Sequence, residues 1–240
     1  MKISRRAFFK YIKKELPTVT FEEIVTIERA YEFAKTAHAG QTRANGDPYF
    51  QGHCVPVAMH VIDLGMDSTL ICAALLHDTI EDTSVTVEDI QTEFGDDVAS
   101  LVEGVSKLGK LKYRGNERHV ESLRKFFVSI ARDVRVVILK LADRWHNLET
   151  LQYLPGEKQK RIALESIMIH APLASRLGMG KLVTTINDLA FPYAYPEEYT
   201  KTKKLMVARL KKAEGTIKKI YRGMLVTVNA SIGYTPQIDK

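Results

Sequence analysis

The stretch Leu75-Leu76-His77-Asp78-Thr79-Ile80-Glu81-Asp82 decides how this chain is read. The apolar run from Ile71 to Leu76 that carries it reads as one side of a buried helix. On that helix, expected over roughly Ser68 to Ile80, His77 and Asp78 are followed four residues later by Glu81 and Asp82. That spacing predicts that all four side chains project into one pocket. Three carboxylates and an imidazole within six residues repel one another and cost desolvation unless a cation or proton sits among them. A divalent metal meets that need, and imidazole with carboxylate suits manganese, iron or zinc better than calcium. The alternative is a solvated acidic helix face; the apolar flanks argue against it.

The 240 residues suffice for one large domain, or a domain with an appendage, with ample apolar content for a core. No apolar run approaches the roughly 18 residues that cross a bilayer. Lys10, Lys13, Lys14 and Glu15 interrupt the apolar segment that a signal peptide would need after Phe8-Phe9. Two cysteines, Cys54 and Cys72, cannot define a disulfide framework, so a cytoplasmic location is expected. Cys54 lies beside His53 but reads as a buried small hydrophobe rather than a ligand. The net charge of +6 suits a phosphate-rich partner, nucleotide or nucleic acid.

Helix follows helix, with 3.6-residue periodicity and no series of alternating strands, which makes the expected class all-α. Thr20-Phe21-Glu22-Glu23 is a capping box opening a helix to about His38. Residues 40–52 read as a loop turning at Asn45-Gly46-Asp47-Pro48, and a helix follows from Val55 to Leu64, ended by Gly65. Short helices are expected from Thr86 to Phe94 and from Asp96 to Val105. Between Ser106 and Arg118 periodicity fails and lysines and arginines cluster, which reads as a mobile basic loop, either a solvated linker or a phosphate-attracting lid. Further helices are expected over 119–131, 134–151, 157–177 and 182–191, the last stopped by Pro192. From Lys201 to Arg222 nine basic residues face one acid, Glu214. Met206, Leu210, Ala213, Ile217, Ile220 and Met224 there form a coiled-coil-like seam, able to pack on the domain, pair with a second copy or lead into another domain.

His53 opens the helix before the His-Asp pair and is the natural further imidazole. Asp143, Asn147 and Thr150 fall on one face of the helix that begins Val136-Val137-Ile138-Leu139, where an inward acid needs a partner. His53, His77, Asp78 and Asp143 therefore form a candidate metal shell. His38, His60, His119 and His170 read as structural, and His146 stays open.

Several of these motifs resemble the hydrolase domain of the RelA/SpoT-homologue alarmone enzymes. They are His38-Ala39-Gly40-Gln41-Thr42-Arg43, the stretch from Leu75 to Asp82, Phe94-Gly95 with the stretch from Leu101 to Leu108, Leu141-Ala142-Asp143-Arg144-Trp145-His146-Asn147, and the stretch from Ala171 to Gly178. The likeness covers about residues 20–200 in order. It implies an all-α bundle of the HD-domain superfamily over 1–200, with 201–240 a basic helix and tail serving as a dimer contact or linker. The implied activity is manganese-dependent hydrolysis of the 3′-diphosphate of ppGpp and pppGpp to GDP or GTP and pyrophosphate. By position, His53, His77, Asp78 and Asp143 match the ligands of one Mn2+. Glu81 and Asp82 match the acidic pair that positions and deprotonates water. Arg43 matches the arginine that stacks on guanine, and Asn147 and Thr150 match residues contacting the nucleoside. A homodimer is expected; a membrane or nucleic-acid partner is not.

This chain departs from the family pattern at three points. Ala44-Asn45 replaces Lys-Ser after the arginine. His53 comes ten residues after Arg43 rather than nine, the extra residue lying within Phe50-Gln51-Gly52. Glu149 stands where long members usually carry arginine. The intact acids from His77 to Asp82 point to an active domain. Two other readings are an HD phosphohydrolase for another nucleotide, which the loop around Arg43 argues against, and a module that binds alarmone without turnover.

Overall fold

The computed structural model describes residues 3–109 and 132–231. The chain divides into two compact units, 1–190 and 191–240. Most of the expected basic loop, and the helix expected over 119–131, lie outside the described residues. Among the described residues there is no strand, only an isolated antiparallel bridge between Thr42 and Pro48.

The first unit opens with α1 (Arg5–Glu15), which the sequence reading did not anticipate. Its signals are local: the Ser4 hydroxyl accepts from the Ala7 N–H, and Phe8, Phe9 and Ile12 bury one face. Then come α2 (Phe21–Ala37), α3 (Val55–Asp63) and α4 (Ser68–Leu76). The capping box on Thr20 and Glu23 forms in full, and Gly65 takes φ 72° just past α3, a conformation a Cβ disfavours.

Every residue of α4 from Leu70 to Leu76 is buried. The helix is apolar all round rather than on one side, because α2, α3, α7 (Asp96–Gly109) and α8 (Val134–Glu149) pack against it. This central helix does not run on to Ile80. It stops at Leu76, Asp78 sits at φ −97° and ψ −3°, and a separate turn, α5 (Thr79–Asp82), follows. Two freed carbonyls explain why the break is stable: the Thr79 hydroxyl donates to Leu76 O at 2.7 Å, and His77 Nδ1 lies 2.8 Å from Ala74 O.

α6 (Val87–Phe94) starts on a second capping box, Thr86 with Asp89. α7 continues through Gly109, four residues beyond its expected end at Val105, because Val105 and Leu108 keep the buried periodicity. The single helix expected over 157–177 is instead α9 (Gly156–Glu165), a π-turn (Ser166–His170) and α10 (Ala171–Arg176). α11 (Gly180–Ala194) continues past Pro192, which sits in its last turn and removes one hydrogen bond rather than ending the helix. The second unit contains α12 (Pro196–Ser231), longer than the sequence pattern at both ends.

Candidate active site

The site is built where α3, the α4–α5 break and α8 meet. His53 comes from a π-turn, Phe50–Cys54, that leads directly into α3 and is closed by the Val55 N–H bonding Phe50 O. A π-turn holds one more residue than an α-turn. The extra residue that separates Arg43 from His53 falls within this wider turn, so His53 still points inward, only 2% exposed.

His53 Nε2 lies 3.1 Å from Asp78 Oδ2, 3.4 Å from Asp143 Oδ1 and 3.2 Å from His77 Nε2. His77 Nε2 is 3.1 Å from Asp78 Oδ2 and 3.9 Å from Asp143 Oδ1. Four donor atoms thus converge on one point. Burial alone would raise both carboxyls. The His77 and His53 rings overcome that at Asp78, and Lys140 with His53 does so at Asp143, so both stay well below the carboxylate range. Burial works against a charged His77, but Asp78 and Asp143 hold it up at about 9. Converging imidazole and carboxylate atoms that need a positive charge between them fit a divalent cation.

Further contacts hold these side chains. The Tyr49 hydroxyl donates to Asp78 Oδ2 at 2.6 Å. Asp143 accepts from Lys140 Nζ at Oδ2 (2.8 Å) and from Asn147 Nδ2 at Oδ1 (2.6 Å). His53 Nδ1 lies 2.9 Å from His146 Nδ1, and burial, with the charge of His53 adding, presses His146 down to about 2. Supports of this kind orient ligands and set their basicity. Sequence reasoning missed Tyr49 and Lys140 and left His146 open; only Lys140, three residues before Asp143 on one helix face, carried a legible signal.

A cleft of about 510 Å³ opens beside the cluster, lined among others by Arg43, Tyr49, Asp143, Asn147, Thr150 and Arg161. Arg43, Asn147 and Thr150 come together as expected from their positions. The guanidinium donates to Thr150 Oγ1 at 2.9 Å and reaches Asn147 Oδ1 at 3.4 Å. The Asn147 carboxamide therefore links the arginine to Asp143.

Glu81 and Asp82 are not drawn into the cluster. The helix break turns them outward, and both are exposed on α5. Partial burial and the charges of Asp78 and Asp82 raise the Glu81 carboxyl, against the Ser106 hydroxyl and Lys140. The Asp82 carbonyl accepts from Gln41 Nε2 at 2.6 Å, and Gln41 Oε1 lies 2.7 Å from His38 Nδ1, so the loop before Arg43 is tied to α5. His60 and His170 are buried away from the cleft, as structural histidines; His119 lies outside the described residues.

A helical bundle carrying a buried His-Asp pair with a further histidine and aspartate defines a class. Residues 30–180 match the family described as the HD domain, and the chain belongs to it. Among curated relatives, a guanosine-3′,5′-bis(diphosphate) 3′-pyrophosphohydrolase of Aquifex aeolicus is 47% identical over 193 residues, covering 80% of this chain and 27% of the relative. The bifunctional (p)ppGpp synthase/hydrolase SpoT of Escherichia coli K12 is 43% identical over 200 residues, covering 83% and 28%. The chain thus spans about a quarter of the length of these relatives. A solved structure described as a metazoan orthologue of SpoT that hydrolyses ppGpp matches with TM-score 0.52 and 26% identity, covering 69% of this chain and 93% of that one.

Proposed function

We propose that this chain hydrolyses the 3′-diphosphate of guanosine tetra- and pentaphosphate, with manganese held by His53, His77, Asp78 and Asp143. One observation supports the reading most: Asn147 joins the Arg43 guanidinium to Asp143, so the arginine read as a base platform and the aspartate read as a metal ligand line one cleft. The relatives' names supply the substrate class. A divalent ion held by His53, His77, Asp78 and Asp143 would make a nearby water more acidic and offset charge on the phosphoryl oxygens. The Arg43 plane stacks on the guanine, and Thr150 and Asn147 hold that plane in place. Glu81, whose carboxyl is raised, and Asp82, both on the turn that follows Asp78, accept the proton of the attacking water. The water oxygen bonds to phosphorus as the bond to O3′ breaks, and the proton taken from the water passes on to the leaving O3′.

Product analysis tests this reading. Metal-stripped protein with ppGpp yields GDP and pyrophosphate only when manganese is restored, and Asp82→Ala binds nucleotide without turnover. Intact ppGpp with binding retained would mean a sensor instead.

The second unit supports a homodimer reading. Met206, Leu210, Ile217 and Ile220 are 53–64% exposed along one stripe of α12, while Lys201, Lys204 and Lys211 fall on the opposite face. Pairing two copies through the stripe covers it and leaves the lysines in water. Light scattering at twice the chain mass, reduced to one by Met206→Glu with Ile217→Glu, is expected; a single-chain mass for the parent protein sinks the idea. The two buried free thiols, Cys54 and Cys72, suit a reducing cytoplasm.

A further inference from the structure

His77 belongs to two donor groups at once. With His53 and Asp143 it makes a nitrogen–oxygen set, and with Cys54 and Asp78 it makes a set containing sulfur; within each, the three ligand atoms lie within 4.8 Å of one another. Cys54 reaches this position because the π-turn that delivers His53 ends on it, which places consecutive side chains against the same His-Asp pair. Its thiol is free and fully buried. The expectation that Cys54 is only a small core residue therefore leaves out its neighbours.

The donor chemistry separates the two sets. Imidazole with carboxylate accepts manganese, whereas thiolate selects softer ions such as zinc and cadmium. Cysteine, histidine and carboxylate are also the usual ligands of zinc. When a soft ion binds, the metal–sulfur bond forms, the S–H bond breaks, and the proton leaves to solvent.

We propose that Cys54, His77 and Asp78 form a second cation site, selective for zinc or cadmium, which overlaps the manganese site and excludes manganese when filled. The overlap follows from the shared residues, since His77 Nε2 and Asp78 Oδ2 also face His53 at 3.2 and 3.1 Å. A cell's soft-metal level then sets how much of the protein can hold manganese. The proposal rests on the reading of the cluster as a metal centre, but not on the identity of the nucleotide.

The test is spectroscopic. Metal-stripped protein is titrated with cadmium, and the ultraviolet sulfur-to-cadmium charge-transfer band is followed in the parent protein, Cys54→Ala, Cys54→Ser and Cys72→Ala. The band is expected to saturate at one equivalent in the parent and Cys72→Ala, and to be absent from both Cys54 variants. In parallel, manganese occupancy is read from the free-ion electron paramagnetic resonance signal. Zinc is expected to release manganese from the parent, and to need about tenfold more in Cys54→Ala once sulfur no longer contributes to its binding. A band that survives in Cys54→Ala, or is absent from the parent, overturns the site. A band without manganese release overturns the overlap. Failure to bind manganese at all would count against the cluster reading itself. Failure to hydrolyse ppGpp, with band and displacement intact, would count only against the substrate.

Discussion

His146 and His53 meet nitrogen to nitrogen, their Nδ1 atoms 2.9 Å apart and both rings buried. One must donate and the other accept. With a metal ion on its Nε2, as proposed, His53 would carry its proton on Nδ1 and the neutral His146 would accept it. The contact would then fix both the tautomer and the ring angle of His53. His146→Ala is therefore expected to weaken manganese binding about 10- to 100-fold while the helical content holds. A manganese titration with circular dichroism on the same samples checks this; unchanged affinity would reduce His146 to packing.

The metal-free protein should lose stability as pH rises through the neutral range. His77 is held at about 9 by Asp78 and Asp143 against burial, above the roughly 6.5 of an unfolded histidine. A raised value means that the folded state keeps its proton longer. The contribution is fully present below about pH 6.5 and is gone above about pH 9. A divalent ion bound in the cluster would supply positive charge without a proton, so the stabilisation that added manganese confers should grow over that window. Melting temperatures with and without manganese, taken at intervals across this range, should diverge; parallel curves would contradict the charge balance described.

Glu149 provides a compensating contact where the family resemblance predicts an arginine. Its Oε2 lies 3.1 Å from His60 Nε2, and the His60 ring stacks on Trp145 at 3.8 Å and 10°. Burial opposes charge on His60, but Asp63 and Glu149 overcome it and raise its pKa. The clamp ties α3 to α8, the helices that carry or follow two ligands. Because Glu149 is about 38% exposed on its side chain, solvent screens the pair. Glu149→Gln should then cost only about 1 kcal/mol. The loss is largest below the ordinary histidine value, where the pair is fully charged, and fades as pH rises through the raised one. Thermal melts of both proteins at acid and alkaline pH measure the difference; a gap that widens with pH would reverse the assignment.

Much of this site was legible because it is written at helical spacing. Asp143 and Asn147 lie on one face of α8, which Thr150 caps, and the apolar run before His77 belongs to a buried helix. What failed was continuity. The sequence has no proline or glycine at His77-Asp78 to announce the break; it is closed locally, the Thr79 hydroxyl and the His77 ring each bonding a carbonyl three residues back. Glu81 and Asp82 consequently lie exposed on α5 rather than within the cluster. The π-turns over 50–54 and 166–170 were equally hidden, since a one-residue widening leaves the apolar period nearly intact. Tyr49 was missed for another reason: it acts across 29 residues on Asp78, a contact that no local pattern encodes.

Arg43 supplies the last prediction, because its two anchors separate binding from chemistry. Thr150 Oγ1 accepts from the guanidinium at 2.9 Å and itself donates toward the His146 and Asn147 carbonyls at 3.2 and 3.5 Å, not toward the carboxylates of the cluster. Thr150→Val keeps the shape and removes the acceptor, at a net loss near 1 kcal/mol. If Arg43 serves only to hold the base, that loss appears as a KM about fivefold higher with kcat unchanged. Arg43→Lys removes the plane itself and should raise KM further, since an ammonium cannot stack as a guanidinium does. Asn147→Ala differs, because it also strips Asp143 of its 2.6 Å partner and should lower kcat as well. Steady-state kinetics on ppGpp for the three variants distinguish these outcomes. A Thr150→Val enzyme that loses kcat at constant KM would place Arg43 in the transition state rather than on the base.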